Sequence, residues 1–257
     1  MSAAIKACDV TLWRGSHQIL ANAFFEVAPT EVVAIVGPSG VGKSSLLAAI
    51  AGLIPCETGK LEVQGQVVGT KTPPIGKCVL MPQASSDLIL PWRSVRGHLR
   101  LAGATEKNLD GIAGEVGLND LLSERPGNLS GGQQRRLALA TTFAASLPVV
   151  LLDEPFTGLD IDLTLRCWEF MEKCLTKRKA AVLFVTHSIE EAAILADRVF
   201  FLSSPTGQAQ IEVIERNDTP DERAKSKQQS PSQRYRDMDD NGCEKYAKLL
   251  RQKVAKI

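Results

Sequence analysis

The pattern of apolar and polar positions divides the chain into a front of short strands, a helical middle and a second half in which strands and helices alternate. Between residues 5 and 36, Val10, Leu12, Ile19, Leu20, Phe24, Phe25 and Val27 mark short strands around a turn at Arg14-Gly15-Ser16. Glu31 to Val36 is a continuous β-branched run, as expected of a parallel strand buried on both faces. Leu46 to Ala51 predicts a helix stopped by Gly52 and Pro55. Gln64 and Gln66 flank Gly65 in a hairpin pattern, and Cys78 to Met81 reads as a short buried strand ending at Pro82-Gln83. Helices are predicted over 95–102, 109–116 and 130–146. Then come a strand at 149–152, a helix at 161–176, a strand at 181–185, a helix at 189–196 and a strand at 198–202. Such alternation implies an α/β fold with a mostly parallel sheet covered on both faces. The antiparallel front forms a β subdomain, and residues 84–146 form a helical subdomain on the flank.

The tail departs from this pattern. Residues 215–240 hold few aliphatic side chains and many charges, Gln, Ser and Pro, which predicts a mobile segment. Tyr246, Leu249, Leu250 and Val254 recur at helical spacing, so a short amphipathic helix closes the chain. The 257 residues carry 30 Lys+Arg against 29 Asp+Glu, and this balance gives no basic field for nucleic acid. None of the six cysteines forms a C-x-x-C pair, which reads as reduced, buried thiols. The first residues lack an apolar signal core, and no apolar run of about 18 residues exists to span a membrane.

Candidate chemistry concentrates in three places. Gly37-Pro38-Ser39-Gly40-Val41-Gly42-Lys43-Ser44-Ser45 fits G-x-x-x-x-G-K-[ST] between a buried strand and a helix. Its glycines let backbone N–H groups close on phosphate at the positive end of the helix. Lys43 suits the β- and γ-phosphates and Ser44 suits Mg²⁺. Val149 to Glu154 is an apolar strand that delivers Asp153 and Glu154 at its C-terminal end, where open parallel sheets bind ligands. Asp153 suits the Mg²⁺ shell, and Glu154 suits polarising a water. Leu129-Ser130-Gly131-Gly132-Gln133 supplies a second helix start able to approach an anion.

With these motifs in this order, the chain resembles the ATP-binding subunit of an ABC transporter over roughly residues 5–204. The resemblance makes Gly37 to Ser44 the Walker A loop, Leu129 to Gln133 the signature and Val149 to Glu154 the Walker B strand. It makes Thr157 to Asp160 the D-loop, Gln83 the Q-loop glutamine and His187 the switch histidine. It implies a P-loop NTPase fold with a helical signature subdomain, a nucleotide-binding domain at 1–204 and a C-terminal extension at 205–257. It also implies ATP and Mg²⁺ as ligands, with Ser44, Gln83 and Asp153 at the metal and Glu154 and His187 at the reacting phosphate. Ser130, Gly131, Gly132, Gln133 and Asp160 would reach the nucleotide across a head-to-tail pair, formed with a second copy or a paralogous ATPase subunit. Membrane permease subunits, a periplasmic or extracellular solute-binding protein and a place on the cytoplasmic face of the membrane follow from the same resemblance. Leu88-Ile89-Leu90-Pro91-Trp92-Arg93-Ser94-Val95 is similar to a stretch of the nitrate, sulfonate and taurine importer branch, where it meets the permease.

Some positions depart from the family pattern. Thr30 stands where glycine is usual, Thr141-Thr142 replaces Arg-Ala, and Ser188 replaces an aspartate. Trp13 or Arg14 takes the place of the adenine-stacking aromatic, and the register is open between them. A lipid-moving or export ATPase, a soluble non-transport ABC ATPase and an ATP sensor without turnover are the competing readings.

Overall fold

Strands with no charged residue in mid-run are expected to be buried on both faces; in the computed structural model Val32–Val36, Val149–Asp153, Ala181–Val185 and Arg198–Ser203 are, while Cys78–Met81, at the sheet edge, is half-buried. The structure describes residues 2–14, 17–69, 71–204, 209–216, 218, 222, 226–238 and 242–255. A six-stranded sheet runs in the order β10 (Gln210–Glu215), β9 (Arg198–Ser203), β3 (Val32–Val36), β8 (Ala181–Val185), β7 (Val149–Asp153), β6 (Cys78–Met81). All neighbouring pairs are parallel except β10 with β9. The period-2 rule then sorts side chains into two cores. Val33, Ile35, Val149, Leu151, Leu183 and Phe200 enter one, and Ala34, Val150, Leu152, Val182, Phe184 and Val199 the other.

The first core is roofed by a four-stranded antiparallel sheet, in the order β2 (His17–Val27), β1 (Ile5–Arg14), β4 (Thr58–Val63), β5 (Gln66–Val67), and by helix α1 (Lys43–Ile50). β1 and β2 are longer than the short strands expected, because register shifts let them bend without ending. Asp9 and Asn22 take φ of 57° and 45°, and the Asn22 amide donates to Asp9 Oδ1 at 2.8 Å. The turn expected at Arg14-Gly15-Ser16 falls partly on residues 15–16, outside the described ones.

The second core is covered by helices. Along the chain these are α2 (Val95–Leu101), α3 (Glu106–Glu115), α4 (Gly131–Ala144), α5 (Ile161–Arg178), α6 (Ile189–Leu195), α7 (Pro231–Arg236) and α8 (Cys243–Val254). Here the tail differs from expectation. β10 adds a strand, and α7, led by Pro231 and capped by Ser230, occupies part of the stretch read as mobile. Composition misjudged it because guanidinium groups rather than aliphatic ones carry the packing: buried Arg234 donates to the Ile194 carbonyl at 2.7 Å and pairs with Glu172. Residues 217, 219–221, 223–225, 239 and 240 of that stretch lie outside the described residues. Among the described residues, no helix is long and apolar enough to cross a membrane, and the six cysteines are free thiols.

Candidate functional site

β3, β8 and β7 are neighbours, so the segments leaving their C-terminal ends stand side by side. Gly37 to Gly42 leaves β3, Thr186-His187 leaves β8, and Asp153-Glu154 closes β7. A cavity of about 270 Å³ opens there, lined by Ser39, Gly40, Lys43, Ser44, Gln83 and Glu154, with Gly42 and Ser45 at its edge.

The loop needs its glycines in two different ways. Gly37 and Gly42 have φ of 158° and 109°, and an added Cβ would lie 2.2 Å from the Leu202 carbonyl oxygen or 2.1 Å from Ile19 Cγ2. Gly40, at φ 78°, has space around it but a backbone that favours glycine. Lys43 folds back across the loop and donates from Nζ to the carbonyls of Gly37 and Pro38, both at 2.8 Å. Burial pulls its ammonium below the usual lysine range, while Glu154 and Asp153 pull it back up.

The two carboxylates have separate environments. Asp153 is buried, and burial raises its pKa, opposed by the Ser44 hydroxyl and the Lys43 charge. Its Oδ1 is buried without a hydrogen-bond partner. Glu154 sits at a φ of 49°, uncommon for a side chain of this kind. Its backbone is pinned on both sides: its N–H donates to the Val185 carbonyl at 3.1 Å, and Arg135 Nη1 donates to its carbonyl at 3.0 Å. Its Oε2 accepts from the Thr157 hydroxyl at 3.2 Å and lies 3.8 Å from His187 Nδ1. His187 is exposed beside it.

The switch loop is itself held. The buried Thr186 hydroxyl donates to Glu191 and accepts from the Ser188 N–H at 3.0 Å. Ser188 caps α6, its hydroxyl accepting from the Glu191 N–H at 3.1 Å, so it performs locally what the expected aspartate would. Burial pushes the Glu191 carboxyl up to about 7.

Ser130, Gly131, Gly132 and Gln133 do not line this cavity. They form the start of α4, where Ser130 Oγ accepts from the Gln133 N–H at 3.3 Å and Gln133 Oε1 accepts from the Ser130 N–H at 2.8 Å. Gly132 abuts Leu159, next to Asp160, which caps α5 by accepting from the Leu163 N–H at 2.9 Å. The signature and the D-loop thus meet at Gly132 and Leu159, and neither Ser130 to Gln133 nor Asp160 lines the phosphate cavity. Trp13 is exposed near the end of β1, in the hairpin whose Ile19 touches Gly42, and does not line the cavity. The Arg14 side chain lies outside the described residues.

Thr157 enters the site from the D-loop, and Arg135, Thr186 and Glu191 enter it although they were not among the candidate site residues. Of these three, only Arg135 and Glu191 had a readable signal, a charge within one turn of a motif. At the departures, the Thr142 hydroxyl is satisfied by the Ala138 carbonyl at 2.8 Å, while Thr141 Oγ1 is buried without a partner. Residues 88–94 form a loop that leads into α2 and is braced by His98, whose Nε2 accepts from the Leu90 N–H and whose Nδ1 lies on the Ser94 carbonyl, both at 2.8 Å. Ile89 is buried, Leu88 and Leu90 half-buried, and Trp92 66% exposed. Leu88 also lines an apolar groove of about 490 Å³ with Leu53, Pro74, Ile75 and Leu80.

Comparison with known proteins gives the family. The profile of the ABC transporter family matches residues 20–157. The aliphatic sulfonates import ATP-binding protein SsuB 1 of Pseudomonas fluorescens is 36% identical over 204 residues, 79% of this chain and 75% of that protein. Its namesake in Rhodococcus jostii is 39% identical over 179 residues, 69% of this chain and 70% of that protein. The thiamine import ATP-binding protein ThiQ of Shigella flexneri is 35% identical over 201 residues, 76% of this chain and 85% of that protein. A dimeric ATP-binding cassette in a post-hydrolysis state, bound to ADP and Pi, superposes with a TM-score of 0.72 at 22% identity, over 84% of this chain and 100% of that one, a likeness of fold. On the matched residues and these identities, the chain belongs to the ABC transporter family, as an ATP-binding and ATP-hydrolysing subunit.

Proposed function

We propose that this ATPase energises import of a small solute, in a pair of cassettes beneath a membrane permease. The observation that carries the reading is the partition of motifs within one chain. The phosphate loop, Gln83 and Glu154 line one cavity, with Asp153 next to Glu154 in the chain and His187 Nδ1 3.8 Å from Glu154, whereas Ser130 to Gln133 do not line it. A helix start outside its own chain's phosphate cavity is suited to a partner's nucleotide, which a two-fold head-to-tail pair would provide. The pair would join residues 1–204 of two copies, or of this chain and a paralogue, with residues 205–257 as an extension.

In this reading the loop N–H groups and Lys43 hold the phosphates, and Asp160 and the partner's signature complete the enclosure. Trp13, or Arg14 beside it, would meet the adenine. Ser44, Gln83 and Asp153 offer oxygen donors of the kind Mg²⁺ prefers, and the orphaned Oδ1 of Asp153 fits that role. Mg²⁺ bound there would offset phosphate charge. Glu154, fixed by Val185, Arg135 and Thr157, would orient and polarise the attacking water. His187, beside it, would contact the γ-phosphate. Retention of ATP would hold the pair closed and its hydrolysis would release it.

The permease would meet the loop around Trp92 and the neighbouring apolar groove, placing the subunit peripherally on the cytoplasmic face of the membrane. The solute would be of the nitrate-, sulfonate- or taurine-like class, the sulfonate-like part of which is supported by relatives named for aliphatic sulfonates import, and a periplasmic or extracellular binding protein would deliver it. Glu154→Gln tests the core of the mechanism. Titration should give ATP affinity within about twofold of the wild type, while turnover falls by about a hundredfold or more. Ordinary hydrolysis by that variant would remove Glu154 from the reaction.

A further inference from the structure

α6 is seven residues long and starts immediately after His187 and Ser188. A helix this short leaves most of its terminal N–H and C=O groups without intrahelical partners, so its position is set by what surrounds it. Its start is held by the Thr186–Glu191 and Ser188 contacts. Its end is held from the C-terminal segment. Arg216 Nη1 donates to the Ala193 carbonyl at 2.6 Å, and Arg234 Nη1 donates to the Ile194 carbonyl at 2.7 Å. Arg251 of α8 reaches back to Glu190, in the first turn of α6, at 2.9 Å.

Arg216 is the best-built of the three. It pairs with Asp218 at 2.6 Å, with the two side chains 6% and 2% exposed, and its guanidinium lies 5.1 Å from the centre of the Tyr246 ring. A pair buried this deeply is costly to desolvate, and apolar side chains of similar volume would pack at least as well. What apolar side chains would not supply is a directional donor on the carbonyl end of α6. Four residues, 189–192, separate the Ala193 carbonyl from Ser188, whose N–H Thr186 ties next to the imidazole.

We propose that Arg216, oriented by Asp218, is a positioning residue for His187: the C-terminal segment fixes the setting of α6 and through it the stance of the imidazole beside Glu154. The proposal rests on the reading of His187 as a group that acts on the nucleotide. Residues downstream of β9 therefore belong to the catalytic apparatus although none of them lines the cavity.

The full chain carries three histidines, so its imidazole resonances are individually assignable. In Arg216→Met, turnover should fall about tenfold with ATP affinity within about twofold of the wild type, the scale expected of a misplaced group. The His187 resonance should move while that of His98, far along the chain in α2, stays in place. Arg216→Lys should show the same resonance shift with a smaller loss of turnover, and decides the matter if Arg216→Met does not fold. Unchanged turnover in both variants, or a loss with His187 unmoved, overturns the proposal. Full turnover in His187→Ala overturns the underlying reading instead, whatever Arg216 does.

Discussion

At Glu191 a single carboxyl links the switch loop to the acidity of the solution. It is enclosed by Thr186, His187, Glu154 and Glu190, and Arg251 faces Glu190 from α8. Burial raises its pKa from 4.5 to about 7. An acid whose folded pKa exceeds its unfolded one favours the native state fully below the unfolded value and loses that advantage as pH rises through the folded one. The wild type should therefore lose stability between pH 4.5 and about 7, by at most roughly 3 kcal/mol. Glu191→Gln should flatten this part of the curve. Melting temperatures measured across that window check it, and parallel curves for the two proteins would count against the assignment. The phosphate loop and the paired carboxylates were legible in the sequence because fixed spacing encodes them. The burial of Glu191 was not, because it follows from how α6, which carries it, turns the carboxyl onto Thr186 and toward Glu154.

Among the elements, the turn before β3 records a local conflict. The Glu31 N–H donates to the Ala28 carbonyl at 3.3 Å around Pro29 and Thr30, and Thr30 takes a φ of 67°. Proline then a left-handed residue is the type II pattern, in which glycine suits the third position and a β-branched residue is strained. This explains why glycine is expected there. Thr30→Gly should stabilise the protein by about 0.5–1 kcal/mol, the relief of αL strain less the added chain entropy of glycine. Its thermal midpoint should rise by about 1–3 °C, and a fall would show that Thr30 makes a compensating contact. The regular elements of the second half were readable from periodicity, since strands buried on both faces leave an unbroken apolar run. β10 and α7 were not, because Gln210–Glu215 alternates with charge at an edge, and α7 is tied down by Arg234 rather than by an aliphatic stripe.

For the whole molecule, the exposed Trp92 and the apolar groove beside it are the surface on which a permease would sit. The loop needs no partner to keep its shape, since His98 and the Ser94 cap hold it from within. Trp92→Ala should therefore leave ATP binding by the isolated subunit unchanged while co-purification with the permease falls. Equal recovery of the permease with both proteins would rule this surface out. The three segments proposed to act on the nucleotide follow β3, β8 and β7, adjacent strands in the middle of the sheet. Those strands open only when the entire domain does, so their amides should be the last to take up deuterium. Heat would then remove working enzymes one by one without dulling those that survive: a warmed sample has fewer motors, each running at full stroke.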